Sequence, residues 1–375
     1  MKVPAIVPAH NKAANMKQIV ALIPAHAEGP SIAVTIESML AQTRVPDKII
    51  VILDNCPDNT PVMAAQAAEG HAEVTVVATE GNTHRKSGAL NMAWNRYAKD
   101  AWMVVGVDGD TILPPNAVAD WSAEFETDAS LGGSSSKFTM PGTGLLTRLQ
   151  RAEFSSWTET SLRRGHTSVL AGTGCAVRGE ALRMAAGLPG REGPWTYTSA
   201  VEDFELTYQI RAAGWHCQVS PTVPAYTDSM KTIKALWGQR MKWQCGTVED
   251  LMSIGFNRLT ARDWAQQCLG LLSAMIRFCW IFLWVGGAIT GWLHPNWTWY
   301  VFPLFFMTAE TISSFKIPDH DWKDVLIAAS LLPGEFFCWL RAGWFVASWY
   351  QTLFTISRDR WAAQYAAESI KGSEA

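Results

Sequence analysis

The sequence predicts an α/β front half built on a mostly parallel sheet, followed by an α-helical, membrane-associated back half. Two observations predict this class. Over the first 250 residues short apolar runs alternate with helical stretches, and from Trp264 onward long apolar runs replace that mixed pattern. A third observation concerns use: polar clusters stand at the ends of the short runs. Strands separated by helices form parallel sheets covered on both faces, and ligands lie outside the carboxyl ends of such strands.

The elements follow in order. Ile19 to His26 (IVALIPAH) reads as a buried strand, with a helix after it over Ser31 to Gln42. KIIVILDN is a second strand ending at Asp54, and PVMAAQAAEG a short helix closed by Gly70. EVTVVAT is a third strand, SGALNMAWNRYA a helix, and AWMVVGVDGD a fourth strand. His26, Asp54 and the pair Asp108 and Asp110 all fall at strand ends. An earlier IVPAHNK, Ile6 to Lys12, echoes LIPAHAE, Leu22 to Glu28. Only the second copy stands at strand-helix-strand distance from Asp54, so residues 1–18 are taken as an N-terminal extension.

The bulk numbers exclude some classes. With 375 residues and a net charge of −3 there is no basic field for a nucleic acid partner. Seven dispersed cysteines without a CxxC pair fit neither a disulfide framework nor a zinc site. No apolar stretch opens the first twenty residues, so a cytoplasmic start without a cleavable leader is expected.

Twelve of the nineteen tryptophans lie beyond residue 240. Phe278 to Leu293 is a sixteen-residue apolar run, or 25 residues when counted from Leu269 through Arg277. A spanning helix needs roughly 20. Trp297 to Phe315 is a second candidate, interrupted by Pro303 and Glu310. The link between them carries no Lys or Arg, whereas Arg258 and Arg262 precede and Lys316, Lys323, Arg358, Arg360 and Lys371 follow. Two spans then leave both flanks in the cytoplasm. Val325 to Tyr350 contains Pro333-Gly334, Glu335 and Arg341, which suits a re-entrant or interface-lying helix pair better than a third crossing. The expected partition is a catalytic domain over 19–255 and a membrane module over 256–375. That module would hold spans near 270–293 and 297–315, re-entrant or interfacial helices over 325–352, and a cytoplasmic tail.

VVGVDGDTIL raises the chemical question. A turn needs one Asp, not the pair Asp108 and Asp110. Two carboxylates spaced D-x-D on a loop after a strand can hold Mg²⁺ or Mn²⁺ while leaving water sites for a phosphate-bearing ligand. Further pieces appear in order. LDNCPDNT puts Asp54 and Asn55 at a strand end, with a hydrogen-bonding face suited to a base. HRKSGALN puts Arg85 and Lys86 before a helix, where cations can meet phosphates. GTGC, Gly172 to Cys175, is a loop that lets a ligand approach the backbone. VEDFELTYQIRAAGW puts Glu202 and Asp203 at a helix start, where carboxylates also serve as ordinary dipole partners. QRMKW, Gln239 to Trp243, lies just before the membrane part.

This order resembles the membrane-bound family 2 glycosyltransferases of the GT-A fold, the group with cellulose, chitin and hyaluronan synthases, whose signature is written D, DxD, (T/E)ED, QxxRW. The matching positions are Asp54, then Asp108-Gly109-Asp110, then Glu202-Asp203, then Gln239-Arg240-Met241-Lys242-Trp243, within roughly Ile19 to Asp250. One place departs: Lys242 stands where the signature has Arg, keeping the charge but losing the forked geometry that suits phosphate.

The resemblance implies roles. Asp54, with Asn55, would contact the nucleotide base, and Lys86 the nucleotide or its phosphates. Asp108 would touch nucleotide or metal, Asp110 would ligate Mn²⁺ or Mg²⁺, and Asp203 would be the general base. Gln239, Arg240 and Lys242 would close over the diphosphate. Gly174, Cys175, Glu202 and Trp243 would lie on the acceptor side, with Cys175 not a nucleophile. Partners would be a nucleoside-diphosphate sugar, an acceptor that is a glycan, a lipid-linked group or a protein, and membrane lipids. Two spans are few for a polymer channel within one chain, so a polysaccharide synthase would be a homo-oligomer or the enzyme a single-addition transferase; a non-catalytic nucleotide-sugar-binding subunit is a separate, third reading.

Overall fold

The computed structural model describes residues 17–292, 294, 301–354 and 359–368. The echo at Ile6 to Lys12, and nearly all of the expected extension, lie outside the described residues.

The front half alternates as expected: β1 (Ile19–Ala25), α1 (Ile32–Leu40), β2 (Lys48–Leu53), α2 (Thr60–Ala68), β3 (Val74–Ala78), α3 (Arg85–Ala93) and β4 (Met103–Gly106). After α3 the chain runs on as a π-helical turn, Trp94–Ala98. There follow α4 (Ala117–Thr127), β5 (Leu131–Thr139), α5 (Leu145–Arg164), β6 (Cys175–Arg178), α6 (Gly179–Ala186), α7 (Glu202–Ala212) and β7 (His216–Tyr226).

One seven-stranded sheet in the order β3-β2-β1-β4-β6-β5-β7 holds them together. β3, β2, β1 and β4 run parallel, β6 is antiparallel to both its neighbours, and β5 pairs parallel with β7. Side chains of β1 alternate between two cores, as strand geometry requires. Ile19, Ala21 and Ile23 pack under α1 and α4 with Trp121 and Phe125. Val20 and Leu22 pack on the other face with Leu90, Trp94, Leu182 and Ile210. Both faces are covered, which is why the strands read as continuous apolar runs. The order reverses between β1 and β4, because successive strands add on one side of β1 up to β3 and the fourth adds on the other. Such a switch point opens a crevice at the carboxyl ends of the strands, and the loop carrying Asp108 and Asp110 leaves β4 there.

The back half is helical: α8 (Ile233–Ile254), α9 (Ala261–Ile289), α10 (Val301–Ser314), α11 (Trp322–Ala328), α12 (Leu331–Phe354) and α13 (Arg360–Glu368). By length and composition α9, 29 residues long, is the one described helix apolar enough to cross a membrane unaided. It exposes Leu269, Leu272, Met275, Ile276, Phe282, Leu283 and Ile289. The pair α11 and α12 passes the same test jointly but is bent by 72°. The second span expected near 297–315 falls partly outside the described residues, and its described part, α10, has 14 residues, short of the roughly 20 a crossing needs.

This helical part is fastened to α5 by ion pairs. Arg148 meets the Asp321 carboxylate at 2.5 and 2.7 Å, and Arg151 meets Asp324 at 2.6 and 2.7 Å. Asp321 also caps α11, its carboxylate accepting from the backbone of Lys323 and Asp324.

Candidate active site

Asp54 follows β2 and is buried. Its backbone N–H donates to the Ala25 carbonyl at 2.9 Å, which ties the ends of β2 and β1 together. Its Oδ1 accepts from Thr79 Oγ1 at 2.7 Å, Asn82 Nδ2 at 2.8 Å and Asn55 Nδ2 at 3.2 Å. Asn82 in turn lies against α3, where a Cβ on Gly88 would stand 2.0 Å from its Oδ1. A side chain at Gly88 would displace Asn82, and with it one of the donors to Asp54.

Three non-glycine residues with positive φ surround this edge: Ala27 at 59°, Asn55 at 49° and Arg85 at 52°. Ala and Arg enter this region at a cost, and such outliers concentrate at functional sites.

Lys86, in the first turn of α3, points its ammonium at Asp108 Oδ1 (2.5 Å) and Glu202 Oε1 (3.5 Å). Burial opposes its charge, but Asp108 and then Glu202 outweigh burial and hold its pKa above the ordinary value. Gly172 lies against the same pair, where a Cβ would stand 2.5 Å from the Lys86 Nζ. Asp110 is held by the Thr227 hydroxyl, 3.2 Å from both its oxygens. Burial, then Asp108 and Asp228, push its pKa up to about 6. Glu28, at the end of the IPAHAE stretch, goes up to about 8, through burial and then Asp110.

Glu202 and Asp203 open α7. The Phe204 N–H donates to Asp203 Oδ1 at 2.8 Å, yet burial and the neighbouring Glu202 raise its pKa to about 6 against the pull of Lys86. Gly174 and Cys175 lead into β6, where Cys175 is in register with Gly106 of β4. Burial pushes the Cys175 thiol up to about 12.

The four functional candidates of α8 divide. Lys242 is buried within the fields of Glu202, Lys86, Asp203 and Asp108, and burial lowers its pKa to about 8. Arg240 is not brought to these carboxylates. It is bonded to Gln239 Oε1 at 2.6 Å and to Glu153 of α5 at 3.0 Å. Its guanidinium lies 4.5 Å from the Trp243 ring centroid and 5.0 Å from that of Phe154. Trp243 itself packs beside Val201, Phe204 and Leu251.

Residues 17–246 match the sequence profile of the family described as "Glycosyltransferase like family 2", more than half of the chain. The chain belongs to that family. This family 2 glycosyltransferase is 23% identical over 269 residues to the poly-beta-1,6-N-acetyl-D-glucosamine synthase of Staphylococcus aureus, covering 72% of this chain and 63% of the relative. It is 25% identical over 233 residues to the uncharacterized glycosyltransferase YaiP of Escherichia coli, covering 60% and 56%. The chain thus spans under two thirds of the length of these relatives. A mannosyltransferase from Pyrobaculum calidifontis, solved with GDP-Man and Mn²⁺, superimposes with a TM-score of 0.61 at 15% identity, over 92% of this chain and 89% of that one. That likeness shows the GT-A fold.

The donor set of the glycosyltransferase fits a hard divalent cation. Asp108 and Asp110 offer carboxylate oxygens, Asp228 and Glu28 add negative field, and burial together with these neighbouring carboxylates raises Asp110 and Glu28 in pKa. Among the described residues no three His, Cys, Asp or Glu groups converge as a ligand set. Glu28, Thr227 and Asp228 were missed by motif reading. Glu28 lies in the loop before α1, whose first turn carries no acidic residue, and only the fold brings it near Asp110.

Proposed function

We propose that this family 2 glycosyltransferase is an inverting, metal-dependent enzyme that moves a sugar from a UDP-sugar to an acceptor hydroxyl, as a polysaccharide synthase working at the cytoplasmic face of a membrane. The observation that carries the reading is the meeting of Lys86, Asp108, Asp110, Asp203 and Lys242 at the switch point of the sheet. In this reading Asp54 binds the base and Asp108 and Asp110 hold Mn²⁺ or Mg²⁺. The cation, when bound, supplies charge to offset the diphosphate leaving group.

Asp203 takes the proton of the acceptor hydroxyl as its oxygen bonds to the anomeric carbon. The bond from that carbon to the phosphate oxygen breaks, and the nucleoside diphosphate leaves with the electron pair. Lys86 and Lys242 stabilise the charge that grows there. Attack opposite the leaving group turns an α-linked donor into a β-linked product. The raised pKa of Asp203 suits it to hold a proton in the transition state.

The exposed apolar length of α9 supports a membrane location, with lipids as a partner. A single described helix of spanning length also supports a second reading, transfer of one sugar to a lipid-linked or protein acceptor, since a polymer channel takes more spans than one. The name of the staphylococcal relative puts an N-acetylglucosamine donor first in the test. Solubilised protein is given UDP-, GDP- and dTDP-sugars with Mn²⁺ or Mg²⁺, with EDTA as control. Release of nucleoside diphosphate from one donor, abolished by EDTA, is the expected result. Release that survives EDTA would remove the metal from the account, and binding of nucleotide without release would contradict the catalytic one.

A further inference from the structure

Lys242 stands where the family signature has an arginine, and the structure shows what accompanies the change. The Lys242 ammonium lies 3.3 Å from the centroid of the Trp361 ring. Trp361 belongs to α13, far beyond the residues that match the family profile. An ammonium over an indole face is attracted by the ring quadrupole, most strongly away from water, and Lys242 is buried. The ring is fixed in turn. Asp359 accepts from the backbone N–H of Trp361 and of Ala362 at 3.1 Å each, and its carboxylate pairs with Arg85 beside Lys86. Arg360 is held by Glu249 of α8 at 2.8 Å and by Gln351 of α12 at 3.0 Å. At Gly238, where a Cβ would stand 2.9 Å from that of Ala367, α13 lies close on α8.

We infer that Trp361 is a positioning residue of the donor site: its ring aims the Lys242 ammonium at the mouth between α3, α7 and α8, so that a Lys–Trp pair does for a nucleoside diphosphate what the arginine of the signature would do. A lysine has a flexible stem and no planar fork, so without a fixed partner its charge is poorly placed. The groups facing Lys242 from the other elements are Lys86 of α3, Asp108 after β4, and Glu202 and Asp203 of α7. Together with Trp361 they leave the ammonium beside the site and not in solvent. A cavity of about 260 Å³ adjoins this arrangement, reaching from Lys86 to Asp359 and Trp361.

The inference rests on the nucleotide-sugar reading and is tested so that the two can fail separately. The Kd for UDP in Mn²⁺ buffer is measured on the solubilised full chain as wild type, Trp361→Phe, Trp361→Leu, Lys242→Met and the Trp361→Leu/Lys242→Met double variant. Trp361→Phe, which keeps a ring face, should bind within about twofold of wild type, and Trp361→Leu and Lys242→Met should each bind about tenfold more weakly. The double variant should be no weaker than Lys242→Met, because Trp361 acts through Lys242. Losses that multiply, or wild-type binding by Trp361→Leu, overturn the inference. If the wild type binds no UDP, the donor reading fails, and the melting temperatures of the same proteins decide the pair: non-additive losses uphold it, additive losses overturn it.

Discussion

A carboxylate that accepts a proton near neutral pH works best with a pKa close to that pH, and Asp203 is raised to about 6 by burial and by Glu202. The base is active when ionised, so kcat/KM should rise as pH rises through about 6 and level above it. An aspartate with an ordinary pKa near 4 would place that limb about two units lower. A pH profile on a saturating acceptor checks this, and a limb at the lower position would remove Asp203 from the role. Lys86, Asp108 and Asp203 were legible as a set because their motifs come in a fixed order along the chain. The orientation of Arg240 was not. A motif names Gln239 to Trp243 together, but a helix sends successive side chains to different faces. The partner that draws Arg240 away, Glu153, lies 87 residues distant in sequence.

At the scale of elements, β1, β2 and β4 were legible as apolar runs because both their faces are buried, and the partly buried edge strand β3 was legible from its valines. β5 was not, since LGGSSSKFT has no apolar period. Its serines 134, 135 and 136 are buried all the same. Glu124 of α4 explains part of this, accepting from Ser134 at 2.6 Å and from Ser220 of β7 at 2.5 Å, so a polar bridge replaces apolar packing. β7 was hidden in the same way by Pro221 and Pro224, which weaken a strand pattern. The junction of α5 with α8 and α12 has a similar polar centre. Glu153 lies between Arg240 at 3.0 Å and Arg341 at 3.2 Å, and the side chains of Glu153 and Arg240 are each only 3% exposed. Breaking a buried pair strands the remaining charge, so Glu153→Gln should lower stability by roughly 3–5 kcal/mol. Denaturation of the solubilised protein reads it, and a loss below about 1 kcal/mol would mean that the pair behaves as a surface one.

For the whole molecule, the composition break near residue 250 was legible, because apolar residues accumulate faster than a soluble surface allows. The bent pair α11 and α12 falls on the stretch expected to hold a helix pair, 325–352, but the ion pairs that fasten it to α5 join residues 173 apart in sequence and were not legible. Two cysteines test how α9 is placed. Cys268 and Cys279 are both exposed on this helix. Cys268 precedes the apolar run and Cys279 lies eleven residues further on, about 16 Å along the axis. In single-cysteine variants in native membranes, a polar maleimide should label Cys268 and spare Cys279, with both labelled after denaturation. Equal labelling in intact membranes would place α9 outside the bilayer.

Nucleoside-diphosphate release by Asp203→Asn beside the wild type, with nucleotide affinity measured on both, tests whether Asp203 is the general base. Turnover should fall roughly 10²- to 10⁴-fold with nucleotide binding kept, because the proton acceptor is gone while Asp54, Lys86 and the Asp108-Asp110 loop remain. Turnover within a few-fold of wild type would contradict that role, and the general base would have to be sought elsewhere.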